Sequence, residues 1–286
     1  MGEQARRRKV FFEAHPYCAF CGGLTKATTV EHCPPRALFQ NKQWPRGFEF
    51  PACAECNHGT SDEDALVAML ARMDPSKGPV ANDSSTFGLM HRINKRYPTM
   101  FEKMMPSPIE ARRINRKLGI TPLPGAVHQE TGALKVPSEV HHSICVFGRK
   151  LAKAIYYLDS ARIFPAEGTL LMQWFSNEQL VERGHYPLIE AMKTLAGDAQ
   201  SLERNGKDLN SQFEYKLSIS TEKSIFILQS LFGNSFGFVV FGSTRPGLLE
   251  TEMQALAERN ENPNPFAILQ SPKLRAFDHP GCDGSS

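Results

Sequence analysis

The sequence predicts an α+β protein in three parts: a metal-organised N-terminal module, a basic helical segment and an α+β C-terminal domain. Two C-x2-C pairs, "CAFC" at 18–21 and "CAEC" at 53–56, mark the first part. Helical periodicity starts at Ser61, and apolar runs of strand length recur in the second half of the chain. We place the three parts at residues 1–80, 81–137 and 138–286.

Composition and charge exclude several classes of protein. The chain has 286 residues, of which 41% are hydrophobic and 22% charged, as in ordinary globular proteins. Its net charge of +3 says little about partners. No apolar run approaches the ~20 residues of a membrane helix, and the basic N-terminus lacks the apolar segment of a secretory signal. We expect a cytoplasmic protein that does not enter membranes.

The paired cysteines predict a zinc site. Each C-x2-C pair can present two thiolates to one ion, so Cys18, Cys21, Cys53 and Cys56 would complete a tetrahedral four-thiolate shell. The 31 residues between Cys21 and Cys53 exceed the spacing of the commonest zinc ribbons, which indicates an insertion between the pairs. The alternative is four free thiols in a reducing compartment.

Ionisable residues lie inside and just after this insertion. Glu31 and His32 precede a cysteine and two prolines in "TVEHCPP", and Asn57 and His58 directly follow Cys56. A four-thiolate site would hold these two pairs near each other without using them as zinc ligands. A carboxylate and an amide oxygen suit Mg²⁺ or Mn²⁺, and a neutral histidine can deprotonate water. These groups fit the hydrolysis of phosphodiester bonds.

At these residues the sequence resembles the HNH (ββα-metal) endonuclease family. The resemblance comprises "CAFCG", "VEHCPP" and "CAECNHGTSDED", about 45 residues in all. More narrowly, the pattern is similar to that of bacterial HNH proteins of about this length that have not been characterised. A second resemblance to these proteins lies in "FGRKLAKAIYY" and the closing "FGFVVFGS".

The resemblance implies a fold module and a role for each residue. It implies a β-hairpin carrying Glu31 and His32, packed on a helix that begins near Asn57, with structural Zn²⁺ beneath. His32 would be the general base, and Glu31 and Asn57 would hold a catalytic divalent ion on DNA, with His58 as a candidate further ligand or an exposed helix-start residue. A role in phage defence or a mobile element, with a protein partner, is plausible for such a nuclease.

The sequence also departs from the family pattern. The middle Asn of the HNH name, which orients the base, has no counterpart in "WPRGFEFPAC", and Asn41 is only a distant candidate. The basic residue that often follows the Cys-Asn dipeptide is Thr60 or Ser61 here. These departures favour an alternative: a zinc-stabilised nucleic-acid-binding or adaptor protein with a degenerate nuclease site.

A basic stretch follows the module. It comprises Arg92, Lys95, Arg96, Arg112, Arg113, Arg116 and Lys117. We expect these residues to contact DNA phosphates independently of sequence, and the alternative is a solvated helix face.

The remaining predictions concern elements and packing. "VHHSICVF" at 140–147 reads as a strand, which would put His141 and His142 on opposite faces, and "GRKLAKAIYYLD" reads as the helix after it. "GTLLMQWF" at 168–175 reads as a strand, "FEYKLSIS" with "SIFILQSL" as a hairpin, and "SFGFVVFGS" as a final strand. We expect Cys33 and Trp44 to fill the small core and His15 to be structural.

Overall fold

The computed structural model describes residues 2–74, 84–122, 124–249, 251 and 267–269. Cys282 and the remainder of the Pro/Asn/Gly-rich tail lie outside the described residues. The helices are α1 Glu3–Ala14, α2 Ala54–His58, α3 Ser61–Arg72, α4 Ser84–Arg96, α5 Met100–Met104, α6 Pro108–Leu118, α7 Ser138–Ser160, α8 Glu178–Arg183 and α9 Pro187–Ala191. The strands are β1 Thr29–His32, β2 Glu49–Ala52, β3 Thr169–Ser176, β4 Glu203–Arg204, β5 Lys207–Asp208, β6 Glu214–Ile219, β7 Ile225–Phe232, β8 Phe236–Ser243 and β9 Ala267–Leu269. The chain is therefore a mixed helix-and-sheet protein, as predicted.

The N-terminal part forms a short hairpin followed by two helices. β1 and β2 pair antiparallel, with Glu31 opposite Phe50 and His32 opposite Glu49. α2 begins directly after β2, and the Cys53 thiol accepts a hydrogen bond from the Cys56 amide at 3.4 Å in its first turn. α3 begins at Ser61 as predicted, with acidic residues in the first turn, where they favour the positive end of the helix dipole.

The basic segment is helical, as predicted. α6 has a reciprocal capping box, in which Ser107 Oγ accepts from the Glu110 amide and the Glu110 carboxylate accepts from the Ser107 amide. It ends at Gly119, whose φ of 66° is in the left-handed region that favours glycine. Local sequence signals therefore set both ends of this helix.

The predicted strand at 140–147 is wrong, because these residues form the first part of the 23-residue helix α7. A short apolar run does not distinguish a buried strand from a buried helix, and α7 is buried along most of its length. His141 and His142 are therefore neighbours on a helix rather than residues on opposite faces of a sheet.

The second half is built on a five-stranded antiparallel sheet in the order β6-β7-β8-β3-β9. The predicted strands near 168–175, 214–231 and 236–243 are all confirmed. α7 packs on the sheet: the Phe147 ring lies 5.4 Å from Phe232 and 6.2 Å from Phe238, centroid to centroid. At Gly148 an added Cβ would lie 2.2 Å from Met172 Sδ, so the small residue lets helix and sheet approach closely.

One continuous core joins the halves. It contains Phe20 and Phe50 of the hairpin region, Leu66 of α3, Leu151 of α7 and Phe238 of the sheet, all at most 1% exposed. α7 lies between the hairpin region and the sheet and contacts both. Among the described helices, none combines the length and apolar character needed to cross a bilayer.

Candidate metal centre and adjoining pocket

The four paired cysteines come together in one buried cluster. Their sulfur atoms all lie within 4.8 Å of one another. Zn–S bonds of about 2.3 Å in a tetrahedron put the sulfurs about 3.8 Å apart, so the cluster can close on one ion with small movements. Both the ligand type and the closed, buried setting fit a metal such as zinc. The members are Cys18, Cys21, Cys53 and Cys56, as predicted.

Hydrogen bonds between the thiols shift their pKa values. A hydrogen bond with Cys21 raises the pKa of Cys18 to about 11, and the same interaction lowers that of Cys21. Hydrogen bonds with Cys18 and Cys21 raise the pKa of Cys56. Lys153 of α7 lies beside this cluster and donates to the Phe20 carbonyl at 2.8 Å. A cation thus lies near the site where a four-thiolate zinc centre would carry two negative charges.

His32 ends β1 and is held in a partly buried position. Its ring meets Trp44 edge to face at 4.6 Å, and its side chain is 24% exposed. Burial, with further contributions from Arg36 and Arg204, lowers the pKa of His32 to about 4. The imidazole is therefore neutral near pH 7, the form that a general base requires.

Glu49 faces His32 across the hairpin. The two residues are register partners, and Glu49 Oε1 lies 3.8 Å from His32 Nε2. Glu49 belongs to the stretch in which the family's orienting Asn was missing, and sequence reasoning overlooked it. Asn41, the distant candidate for that role, is exposed and does not line the pocket described below.

Glu31 is buried and bound to a lysine from the distant helix α7. Lys150 Nζ lies 2.9 Å from Glu31 Oε1 and 2.6 Å from Asp64 Oδ2, and it donates to Thr60 Oγ1 at 2.8 Å. Although burial opposes its charge, the two carboxylates raise the pKa of Lys150. Burial raises the pKa of Glu31 to about 7 against the opposing effect of Lys150, with Asp64 adding to the rise.

Asp64 and Lys150 were not foreseen as site residues. The sequence offered little reason to choose Asp64. It lies in the first turn of α3 beside two other acids, Asp62 and Glu63, and nothing local distinguishes it from them. The sequence offered no reason to choose Lys150, because "GRKLAK" is typical of an exposed helix face. Thr60, at the position where the family often has a basic residue, receives its hydrogen bond from Lys150.

Asn57 lies on α2, and its side-chain amide donates to the Val30 carbonyl at 3.3 Å. This contact fixes α2 against β1. His58, the next residue, is exposed and does not line the pocket that Asn57 lines.

A pocket of about 320 Å³ brings the predicted residues together. Its walls include Glu31, His32 and Asn57, together with Asp64 and Arg92. The hairpin supplies the first two, α2 the third, α3 the fourth and α4 the last. Proton-accepting, oxygen-donor and cationic groups therefore line one cavity, and Asn57, one of its residues, directly follows Cys56 of the cysteine cluster.

The basic stretch is exposed throughout, and one member reaches the pocket. Arg92 and Arg96 of α4 pair with Asp62 at 3.4 and 2.8 Å, and Lys117 of α6 pairs with Glu178 at 2.6 Å. Lys95, Arg112, Arg113 and Arg116 are also exposed. Exposed pairs of this kind contribute little to stability, so these cations can exchange partners at low cost.

Trp44, Cys33 and His15 were expected to be structural, and each packs against neighbouring side chains. Trp44 contacts the core, and its ring lies 3.8 Å from the Arg204 guanidinium carbon and 5.0 Å from that of Arg36. Cys33 is fully buried, outside the four-cysteine cluster. His15 Nδ1 lies 2.6 Å from the Tyr157 hydroxyl.

His141 is also structural. Trp174 Nε1 donates to its Nδ1 at 2.7 Å, so a neutral His141 carries its proton on Nε2, which lies 3.7 Å from the Cys145 sulfur. A nitrogen that already holds a proton does not activate the thiol.

Comparison of the chain with protein-family models, with curated proteins and with solved structures finds no match. The likeness to HNH nucleases therefore rests on the motif residues, and the functional argument rests on the site itself.

Proposed function

We propose that this protein is a metal-dependent endonuclease of the HNH type that hydrolyses phosphodiester bonds in DNA. The observation that carries the proposal is the placement of a neutral His32 in one pocket with Glu31 and Asn57, above the four-cysteine cluster. In this proposal the cysteines bind structural Zn²⁺, and the pocket binds Mg²⁺ or Mn²⁺.

Each residue has a defined task in this reaction. With Glu49 beside Nε2, His32 Nδ1 accepts a proton from water as the water attacks phosphorus and the bond from phosphorus to the leaving oxygen breaks. Glu49, close to Nε2, favours the imidazolium that this transfer creates, as an orienting carboxylate does in other hydrolases. Glu31 and Asn57 would hold the divalent ion, which when bound neutralises charge on the phosphate and the leaving oxygen. Arg92, at the pocket wall, and the exposed cations of α4 and α6 would position the DNA backbone.

The test is plasmid cleavage in Mg²⁺ or Mn²⁺ by the wild-type chain and by His32→Ala. His185→Ala is the matched control, since this histidine is exposed and distant in sequence from the pocket motifs. We expect cleavage by wild type and the control and its loss in His32→Ala at unchanged zinc content. Absence of wild-type cleavage would refute the enzyme proposal, and cleavage by His32→Ala would refute the assignment of the base.

A second candidate is a zinc-stabilised nucleic-acid-binding or adaptor protein. What favours it is that both predicted cation ligands have protein partners, Glu31 with Lys150 and Asn57 with Val30. DNA binding that weakens with salt, without cleavage under any divalent ion, is its expected signature. A defence or mobile-element role would in either case depend on a protein partner.

A further inference from the structure

One carboxylate oxygen beside the pocket is buried without a hydrogen-bond partner among the described residues. Asp64 is 8% exposed; its Oδ2 lies 2.6 Å from Lys150 Nζ and 3.3 Å from Thr60 Oγ1, whereas its Oδ1 meets no donor. A buried acceptor left unsatisfied costs about 1–3 kcal/mol, and more when it is charged. Asp64 is one of the residues that line the pocket, so its unpaired oxygen is a candidate to bind a ligand there.

Lys150 does not supply the missing contact. An ammonium has three N–H donors, and those of Lys150 face Glu31 Oε1, Asp64 Oδ2 and Thr60 Oγ1. Using all three on these oxygens fixes the two carboxylates side by side. Asp64 Oδ1 remains available on the pocket that Glu31 and Asn57 also line.

The type of donor favours a cation as the ligand, because an ionised carboxylate oxygen only accepts. In the buried part of the site the carboxyl groups of Glu31 and Asp64 face the single ammonium of Lys150. The other cations that line the pocket, Arg36, Lys42 and Arg92, are exposed, where they can meet a phosphodiester. Mg²⁺ and Mn²⁺ prefer oxygen ligands from carboxylates, amides and water.

We propose that Asp64, through Oδ1, is a third protein ligand of the pocket's divalent ion, and that Lys150 positions Asp64 and Glu31 for it. This inference rests on the proposed function, in which Glu31 and Asn57 hold the same ion. Asp64, on α3, would supply a second carboxylate beside that of Glu31.

The experiment is a Mn²⁺ titration of the full zinc-loaded chain, with free Mn²⁺ followed by electron paramagnetic resonance. The variants are Asp64→Asn, which keeps the shape and removes the charge, and Glu63→Gln as the control from the same helical turn. We expect Asp64→Asn to raise the Kd for Mn²⁺ at least about tenfold and Glu63→Gln to leave it within about twofold. Wild-type affinity in a folded Asp64→Asn chain, or no Mn²⁺ binding by wild type, would overturn the proposal.

A second measurement covers the case in which Asp64→Asn does not fold, as judged by zinc content. Wild-type chain made with ¹³C-carboxyl aspartate should show ¹³C hyperfine coupling to bound Mn²⁺ in electron–nuclear double resonance. Cell-free synthesis with unlabelled glutamate and asparagine keeps Glu31 and Asn57 unlabelled, so coupling identifies an aspartate ligand and its absence refutes one.

Plasmid cleavage by the same preparations separates the two proposals. Mn²⁺ binding that depends on Asp64, without wild-type cleavage, would uphold the cation site and refute the nuclease function. Cleavage that depends on His32, with Mn²⁺ affinity unaffected by Asp64→Asn, would refute Asp64 as a ligand and leave the nuclease function standing.

Discussion

Replacement of Lys150 by methionine tests whether the buried ion triad holds the pocket together. Methionine keeps most of the length of the chain and removes the charge. Lys150 is 1% exposed and faces Glu31 and Asp64, which are themselves largely buried. The substitution leaves two carboxyl groups in a low-dielectric site without their cation.

The size of the destabilisation depends on how each carboxyl group responds to the loss of the ammonium. Removing one partner of a buried ion pair costs about 3–5 kcal/mol. Glu31, whose pKa is already raised to about 7, escapes part of the cost by keeping a proton. The largely buried Asp64 carboxyl group loses its 2.6 Å contact with the ammonium. We therefore expect the free energy of unfolding to fall by about 3–5 kcal/mol at pH 8 without added Mg²⁺.

The decrease in unfolding free energy of Lys150→Met should depend on pH, and the raised pKa of Glu31 determines the direction of that dependence. Without Lys150 the pKa of Glu31 in the folded chain lies further above that of the unfolded chain, because the cation that opposes the effect of burial is gone. Groups with raised folded pKa values contribute their full stability at low pH and lose it as the pH rises through the folded pKa. The deficit of Lys150→Met should therefore be smaller at pH 5.5 than at pH 8.

Urea unfolding of the zinc-loaded chain measures both effects. Lys103→Met is the control, since Lys103 forms an exposed pair with Glu139 and its loss should cost no more than about 1 kcal/mol. The triple variant Glu31→Gln/Asp64→Asn/Lys150→Met should regain most of the loss, because no uncompensated charge remains. A deficit below about 1 kcal/mol, or one unchanged between pH 5.5 and 8, would refute the reasoning.

Three further predictions concern residues around the two sites. Lys153→Met should speed zinc loss to a chelator several-fold, because this cation lies beside the thiolates; an unchanged rate by zinc-indicator absorbance would contradict the charge argument. His32 should take up its proton near pH 4 in the folded chain and near pH 6.5 in the unfolded one, so its neutral form costs stability as the pH falls through that window. NMR titration, with His32→Phe to assign the signal, checks this, and a midpoint at pH 6 or above would disprove it. Glu49→Gln should lower cleavage about tenfold and leave Mn²⁺ affinity within about twofold, since Glu49 contacts the base and not the ion; undiminished cleavage would remove it from the mechanism.

The predictions that succeeded depended on short-range patterns. C-x2-C spacing specifies a knuckle within four residues, and two knuckles have one simple way to share an ion, so the cysteine cluster was predictable. The strands near 168–175 and 236–243 were predictable because short runs rich in β-branched and aromatic residues, bounded by turns, are typical of β-strands. The capping box at Ser107 is likewise readable from sequence.

The predictions that failed, or were never made, depended on distant packing. Residues 140–147 have strand-like composition, and only the sheet and the hairpin region packed around them make them helical. Glu49 could not be singled out, because its importance comes from its register with His32. Lys150 is separated from Glu31 by helices α2 to α6 and the first part of α7, and no local rule connects the two.

The position of Lys150 and Lys153 also bears on how the chain is organised. Both lie on α7, three residues apart, and so on one face of the helix. One ammonium meets the pocket carboxylates and the other meets the cysteine region. The opposite side of α7 packs on the sheet at Gly148, where an added Cβ would lie 2.2 Å from Met172 Sδ. α7 is therefore the element through which the sheet of the C-terminal half supports both the pocket and the cysteine region, and removing either lysine charge tests one of these two contacts without changing the other.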